Sequence, residues 1–259
     1  DIFSIGKQGL ARDGIFTWLR FLFVYIEFLK ASFHGKRLLD VSCGDGSFLL
    51  WTRRKANYVG LDINPHKLLI AKRTHPCLGL VLADAGNLPF RSEAFDIVCT
   101  SETLEHLTHR KREEAIKEIA RVSCNHVIVT VPTISLFCFL ATVFHNLLQK
   151  LGWVKERHKI CFKSSEHQVE FFHILFNDLV PLNSLVSMFY ENGFSSILCQ
   201  EIGFVTNLAF PLLKKRGLIT PVSHPWLTTI IMRLEKAFSK AHFPFGQYAI
   251  LHFQNRKLE

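Results

Sequence analysis

Paired cysteines are missing from this sequence. Its seven Cys are scattered, odd in number and without a CxxC spacing. This pattern argues against a disulfide framework and for reduced thiols in a cytoplasmic protein. The first residues are acidic and polar, so we expect no secretory signal.

Long uninterrupted apolar runs are missing as well. Charged residues interrupt the stretch 15–33, and polar residues interrupt 134–148. Neither reaches the roughly 18 apolar residues that a membrane-spanning helix needs. We therefore expect no spanning helix, and at most a peripheral contact with a membrane.

A dense track of positive charge is also absent. The net charge is +9, from 31 Lys and Arg against 22 Asp and Glu, but the cations form only short runs. Such runs are typical of solvated faces rather than of a nucleic-acid surface. Hydrophobic residues make up 48% of the chain and include 24 Phe, which excludes a disordered chain and favours a Phe-rich core over a lipid-facing surface.

Apolar runs alternate with amphipathic segments, which predicts a parallel, doubly wound α/β sheet with helices on both faces. An amphipathic helix over 12–33 precedes the sheet. After residue 132 the pattern becomes more helical, and Gly193 marks the end of one helix. The predicted strands are 38–41, 58–61, 78–82, 95–100, 126–131, 194–202 and 247–253, and the predicted helices are 47–55, 65–73, 109–122, 135–151 and 182–192.

No repeat or low-complexity linker divides the chain, so we predict one domain over 1–259. Its expected parts are an N-terminal helical cap (1–35), a ligand-binding core (36–132), helices on the acceptor side (133–192) and a helical insert before the last strand (204–245).

Three acidic residues end the first three strands, and a glycine-containing turn follows the first of them. Asp40 precedes the turn "SCGDG", Asp62 ends "VGLD" about 20 residues later, and Asp84 follows the third strand. A carboxylate at the second position can accept both hydroxyls of a ribose. The third glycine of a dinucleotide fingerprint and the lysine of a P-loop are both missing, so a cationic nucleoside without phosphate fits best. The same acids could instead merely cap the elements that follow them.

The segment 36–132 resembles the class I S-adenosylmethionine-dependent methyltransferases, through "LLDVSCGDGSF", "VGLDIN", "ADAGNLPF", "FDIVCTSETLEHL" and "HVIVTVP" in that order. The resemblance implies a Rossmann-like, seven-stranded sheet, mostly parallel with an antiparallel last strand, plus helical additions. It also implies S-adenosyl-L-methionine as the cofactor. Ser42 stands where the family usually has Gly, and we expect it to fit with a negative φ. The residues that the resemblance assigns to the cofactor are Asp40, Ser42, Gly44, Gly46, Asp62, Ile63, Asp84, Ala85 and Ser101.

The string "ETLEH" follows the fourth strand and contains Glu102, Glu105 and His106. On a helical turn these three side chains would share a face and could hold a divalent metal ion, with His167 as a further ligand. The string resembles one in metal-dependent catechol and small-RNA methyltransferases. Many relatives carry "LEH" without a metal, so an acid/base role for His106, or a structural role, remains open.

The expected activity is methyl transfer to a small, apolar or lipid-like acceptor, with oxygen favoured. Phe-, Leu- and His-rich segments after 132 suit such an acceptor better than a nucleic-acid backbone. An RNA methyltransferase and a non-catalytic binding protein with the same fold are the alternatives. The insert over 204–243 is expected to act as a lid or a membrane-facing arm; a dimer contact and simple packing are the alternatives.

Overall fold

A computed structural model describes residues 24–28, 30–48, 56–76, 78–133, 180–202, 230, 233–234, 237 and 248–258. Seven strands form one sheet in the order β3-β2-β1-β4-β5-β7-β6. The strands are β1 (Arg37–Val41), β2 (Asn57–Asp62), β3 (Gly79–Leu82), β4 (Phe95–Ser101), β5 (Ser123–Pro132), β6 (Phe194–Ile202) and β7 (Tyr248–Asn255).

Strands β1 to β5 run parallel, and β7 runs antiparallel to both of its neighbours, β5 and β6. This confirms the predicted fold class. The strand order changes direction beside β1, which pairs with β2 on one side and β4 on the other. Ligands bind open α/β sheets at such a point, outside the carboxyl ends of the strands. We refer to the ends of β1 to β4 (Val41, Asp62, Leu82 and Ser101) as the carboxyl edge.

Three helices are described, and their ends follow local signals. Helix α1 (Pro65–Thr74) begins after Asn64, whose side chain accepts from the backbone N–H groups of His66 (3.0 Å) and Lys67 (3.3 Å). Helix α2 spans His109–Val122, and helix α3 (Leu182–Glu191) is followed by Gly193 with φ 91°. No helix in the described part of the chain is long and apolar enough to cross a membrane.

Several predicted helices lie outside the described residues. They are the helix at 135–151, nearly all of the helix at 47–55, the first half of the helix at 12–33 and most of the insert at 204–243. Residues 24–28 and 30 are helical, in agreement with the second half of the N-terminal prediction. The division of the chain into parts stays a prediction.

Aromatic side chains form much of the described core. Phe189 of α3 stacks on Phe253 of β7 with ring centroids 4.3 Å apart, and both side chains are fully buried. A second buried cluster joins the N-terminal helical residues to the sheet through Phe28, Phe33 and Phe48. These described aromatic residues therefore act chiefly as core.

A buried carboxylate links the N-terminal helical residues to the last strand. Glu27 is 4% exposed, and its Oε2 lies 3.0 Å from His252 Nδ1 while Lys30 binds its other oxygen. His252 Nε2 in turn lies 3.2 Å from His126 Nδ1. Burial raises the pKa of Glu27, but the hydrogen bonds and charges of His252 and Lys30 outweigh it, so the pKa is lowered from its ordinary value of 4.5.

We expect this carboxylate to make the fold acid-sensitive. A group whose pKa is lower in the folded state contributes stability above its unfolded pKa, and that stability is lost as the pH falls through the folded value. The free energy of unfolding should therefore decline below about pH 4.5. Glu27→Gln should be less stable than wild type at neutral pH, and its free energy of unfolding should fall less on acidification. Urea titrations at pH 3 to 7 measure it, and parallel curves for the two proteins would contradict the assignment.

Candidate active site

The turn after β1 adopts a left-handed backbone at three positions. The φ angles are 64° at Ser42, 59° at Gly44 and 79° at Gly46. The Gly46 N–H donates to the Cys43 carbonyl (3.0 Å), and the Cys43 N–H donates to the Leu61 carbonyl of β2 (2.9 Å). Since two of the three left-handed positions lack a Cβ, a ligand can approach the backbone of this turn closely.

Ser42 contradicts the expectation of a negative φ. Its value of 64° lies in the region where a Cβ costs an L-residue about 1 kcal/mol or more. The expectation was wrong because the geometry of the whole turn, with three left-handed residues in five positions, sets this angle. Such strain persists where the surrounding structure enforces it, often at functional sites.

Asp62 joins the glycine turn to the end of β2. Its Oδ2 accepts from the Gly44 N–H and its Oδ1 from the Asn64 N–H, both at 2.8 Å, and the residue is 5% exposed. The side chain that caps α1 is Asn64, so Asp62 is not the N-cap of that helix. A carboxylate oxygen has two lone pairs, which leaves acceptor capacity for a diol.

Asp40 lies in the interior of the sheet. The Tyr58 hydroxyl donates to its Oδ2, and the Cys99 thiol also bonds to it. Burial raises the pKa of Asp40 to about 7, although the bonds from Tyr58 and Cys99 lower it. The carboxyl is 2% exposed, so its position suits support of the turn that follows rather than direct contact with a ligand.

The loops after β2 and β3 present one exposed apolar side chain and one exposed acid. Ile63 is 66% exposed. Asp84 is exposed, and its Oδ1 accepts from the Gly86 N–H at 2.9 Å. The Ala83 N–H donates to the Asp62 carbonyl (3.2 Å), which holds the two loops together at the carboxyl edge. Ala85 is buried.

A hydroxyl pair lies at the ends of β4 and β5. Ser101 Oγ and Thr130 Oγ1 are 2.7 Å apart, and Thr130 Oγ1 lies 3.4 Å from Glu102 Oε1. Glu102 has a left-handed φ of 53°, and its N–H donates to the Thr130 carbonyl at 3.0 Å. The backbone is thus strained beside Ser101 as well as beside Asp40.

The three side chains of the "ETLEH" string do not converge as predicted. Leu104–His106 forms a short 3-10 turn, and Glu102 precedes it. Glu105 is 2% exposed while the His106 side chain is 45% exposed, and Glu105 Oε1 lies 3.8 Å from His106 Nε2. Among the described residues, no three His, Cys, Asp or Glu side chains are placed to hold a metal ion. The expected shared helical face was wrong, because a 3-10 turn distributes neighbouring side chains differently from an α-helix. The fourth predicted ligand, His167, lies outside the described residues.

This arrangement predicts an activity that does not depend on divalent ions. Dialysis against a chelator should leave the rate within about twofold of the untreated protein, whereas even a disturbed metal site typically costs a metalloenzyme about tenfold or more. A steady-state assay before and after chelation, with Mg²⁺, Mn²⁺ and Zn²⁺ added back separately, measures this. A loss that one metal restores would contradict the geometry.

Three supporting residues were missed at the level of sequence. Tyr58 and Thr130 contact Asp40 and Ser101 across neighbouring strands. Arg112 is buried, and it donates to the carbonyls of Leu104 (2.8 Å) and Leu107 (2.7 Å), which fixes the turn that carries His106. The sequence does indicate the burial of Arg112, because this residue follows the same helical spacing as the buried apolar residues of α2.

Comparisons with known proteins agree with this geometry. Residues 39–129 match the family described as "Methyltransferase domain". A phthiotriol/phenolphthiotriol dimycocerosates methyltransferase of Mycobacterium leprae is 39% identical over 98 residues, which is 36% of each chain. A fatty-acid O-methyltransferase of Mycolicibacterium smegmatis is 40% identical over 98 residues, 36% of this chain and 35% of that protein. The match thus spans about a third of the length of these relatives.

Solved structures extend the likeness to most of the fold. Magnesium protoporphyrin IX methyltransferase of Synechocystis PCC 6803, solved with bound SAH, has a TM-score of 0.54 at 13% identity, over 92% of this chain and 82% of that one. The PH0226 protein of Pyrococcus horikoshii has a TM-score of 0.56 at 14% identity, over 95% and 93%. The sheet and its carboxyl edge are therefore those of the class I methyltransferase fold. Within that fold, residues 39–129 are the part that matches a methyltransferase domain in sequence.

Proposed function

We propose that this chain is an S-adenosylmethionine-dependent methyltransferase that methylates an oxygen atom of a lipid-like acceptor. The observation that carries the proposal is the bond from the Gly44 N–H to Asp62 Oδ2. This bond holds the strained turn after β1 next to Asp62 at the end of β2. The loop after β3 lies beside them, because the Ala83 N–H donates to the Asp62 carbonyl. Three loops thus form one cradle at the carboxyl edge.

The groups in this cradle fit the cofactor by their chemistry. Asp62 would hold the ribose, Ile63 would cover the adenine, and Asp84 with Ala85 would bind the adenine edge. Gly44 and Gly46 would leave room for the methionine moiety, Asp40 and Ser42 would shape the turn, and Ser101 would lie beside the sulfonium. When bound, S-adenosylmethionine supplies a methyl group on a positively charged sulfur.

The acceptor class is supported by what the similar proteins are named for. One relative is a fatty-acid O-methyltransferase, and the other acts on phthiotriol dimycocerosates. The segments expected to line the acceptor pocket, 133–192, lie mostly outside the described residues. Location in the cytoplasm, in peripheral contact with a membrane, is part of the same proposal.

We propose His106 as the group that receives a proton from a hydroxyl acceptor, with Glu105 as the acidic residue beside it and Glu102 as a support of the Ser101–Thr130 pair. His106 is the exposed member of the three, and Glu105 Oε1 lies 3.8 Å from its Nε2. General bases contribute about 100-fold or more to a rate. His106→Asn should therefore lower kcat about 100-fold on a hydroxyl acceptor, with little change on a fatty-acid carboxylate, which carries no proton to remove. Equal losses on both acceptors would contradict this role.

Transfer of a radiolabelled methyl group tests the function. The full chain is incubated with labelled cofactor and separately with fatty acids, hydroxylated lipids and bulk RNA. We expect label in the lipid fraction, in a bond that alkaline hydrolysis cleaves when the product is an ester. Label in RNA alone would favour the nucleic-acid alternative, and cofactor binding without transfer to any acceptor would favour a binding protein.

A further inference from the structure

Helix α1 has apolar side chains on two opposite sides. Leu68 and Ala71 are buried towards the sheet. Leu69 and Ile70 are 55% and 43% exposed. Together with His66 and Arg73, Leu69 and Ile70 follow the spacing i, i+3, i+4, i+7, so they form one stripe that points away from the sheet. An ordinary surface helix is polar along this stripe.

The surface beside this stripe is also apolar at one point. Leu82, at the carboxyl end of the edge strand β3, is 60% exposed. Helix α1 contacts both β2 and β3, so it lies at the same edge of the sheet as β3. We name Leu69, Ile70, Lys72 and Arg73 the α1 face.

The charged side chains between Asp62 and Asp84 have a single sign, and the exposed Asp84 lies just beyond them. The sequence from 63 to 83 contains no Asp or Glu, but it contains Lys67, Lys72 and Arg73. Lys72 and Arg73 are exposed in the last turn of α1, where Lys72 also donates to the Pro76 carbonyl at 2.8 Å. Exposed cations thus flank exposed aliphatic side chains.

Helix α2 shows that this composition is not general to the protein. Its exposed residues carry both signs, with Arg110 paired to Glu114 at 3.1 Å and further acids at Glu113 and Glu118. Its apolar residues, among them Ile116, are confined to the buried side. α2 is an ordinary solvated helix, whereas α1 combines two features that α2 lacks.

We propose that the α1 face docks this chain on a bilayer that contains anionic lipids. Aliphatic side chains can enter the boundary between headgroups and acyl chains, while Lys and Arg lie at the level of the phosphates. RNA is a poorer occupant, because 63–83 contains no Phe, Tyr or Trp on which bases could stack. The proposal rests on the charge and exposure of these side chains and not on catalysis. Because α1 begins three residues after Asp62, a bilayer on this face would lie near the proposed site of lipid methylation.

Co-sedimentation of the full chain with vesicles tests the proposal. One set contains phosphatidylglycerol in phosphatidylcholine, and the other contains phosphatidylcholine alone. We expect at least about tenfold stronger partitioning onto the anionic set, weakened by salt, because each cation near such a surface contributes about fivefold. Binding to neither set, or equal binding to both, would overturn the proposal.

Two double variants and a matched control locate the surface. Lys72→Glu with Arg73→Glu should weaken partitioning at least about 25-fold, from two cations at about fivefold each. Leu69→Ser with Ile70→Ser should weaken it about tenfold without a change in charge. Lys111→Glu with Lys117→Glu on α2 makes the same change in net charge and should have less than a twofold effect. An equal loss in the α2 control, or no loss in the Leu69/Ile70 variant, would overturn the proposal.

Two further measurements separate this proposal from the proposed function. Melting curves and calorimetry with S-adenosylmethionine should be unchanged in all three variants, because none of the altered residues belongs to the cradle. If the wild-type chain methylates no acceptor yet partitions as described, the docking surface stands and the proposed function fails. If the variants lose RNA binding while no vesicle is bound, the face is a nucleic-acid site and the docking proposal fails.

Discussion

Replacing Asp62 by Ala is expected to weaken the binding of S-adenosylmethionine about 100-fold. The carboxylate accepts from the Gly44 and Asn64 N–H groups, so the change frees two loops and removes the acceptor proposed for the ribose diol. Hydrogen bonds to a charged group contribute about 1.5–3 kcal/mol each, and the loss of about 2.7 kcal/mol corresponds to 100-fold. Isothermal calorimetry measures the change in Kd.

Two companion variants make the result specific. Asp62→Asn keeps one oxygen acceptor, so it should weaken cofactor binding about tenfold, which corresponds to about 1.4 kcal/mol. This loss lies between wild type and Asp62→Ala. Asp45→Asn removes a carboxylate from the same turn, one that accepts from the Ser47 N–H and hydroxyl, and should lose less than threefold. If Asp45→Asn and Asp62→Ala weaken binding equally, Asp62 has no special part in the cradle.

Replacing Asp40 by Asn is expected to abolish a decline in stability between about pH 4 and pH 7. The folded chain keeps the Asp40 proton up to a pKa of about 7, whereas the unfolded chain releases it near 3.8. Between these values the folded state binds more protons at Asp40, so the contribution of Asp40 to stability falls as the pH rises and levels off above pH 7. Three pKa units correspond to a decline on the order of 4 kcal/mol. Urea titrations at pH 4, 5.5, 7 and 8.5 measure it.

Asp96 supplies a control with the opposite sign. It lies in the same sheet, but the hydrogen bond from Arg37 lowers its pKa below 3.8. Its contribution is therefore present at neutral pH and is lost as the pH falls, so Asp96→Asn should be less stable than wild type at pH 7. Asp40→Asn should be as stable as wild type or more stable at pH 8.5. Parallel stability curves for wild type and Asp40→Asn between pH 4 and 7 would refute the assignment of a buried, protonated carboxyl.

The elements that sequence reasoning located well are those with local causes. The spacing of apolar residues predicted α2 with the bounds 109–122 that the structure shows, and Gly193 ends α3 with a positive φ. Strand β5 begins three residues before its predicted start, at Ser123. The reason is not local, since Ser123 pairs with Phe95 of β4 and Asn255 of β7 donates to the Cys124 carbonyl.

The features of the candidate site also differ in whether their causes are local in the sequence. The acids at strand ends and the glycine turn are consecutive features, and the sequence order places them at one edge of the sheet. The partnership of Asp40 with Tyr58 depends on the register between β1 and β2, which a single sequence does not specify. The placement of Glu105 and His106, with one side chain buried and the other exposed, depends on a 3-10 rather than an α-helical turn, which the "ETLEH" spacing does not specify.

The most direct test of the central claim is a calorimetric titration of S-adenosylmethionine into the wild-type chain. Binding near one equivalent, with a Kd in the micromolar range and a raised melting temperature, is the result we predict, because the glycine turn, Asp62 and Asp84 form a cradle for this nucleoside. No heat and no thermal shift at millimolar cofactor would contradict the account.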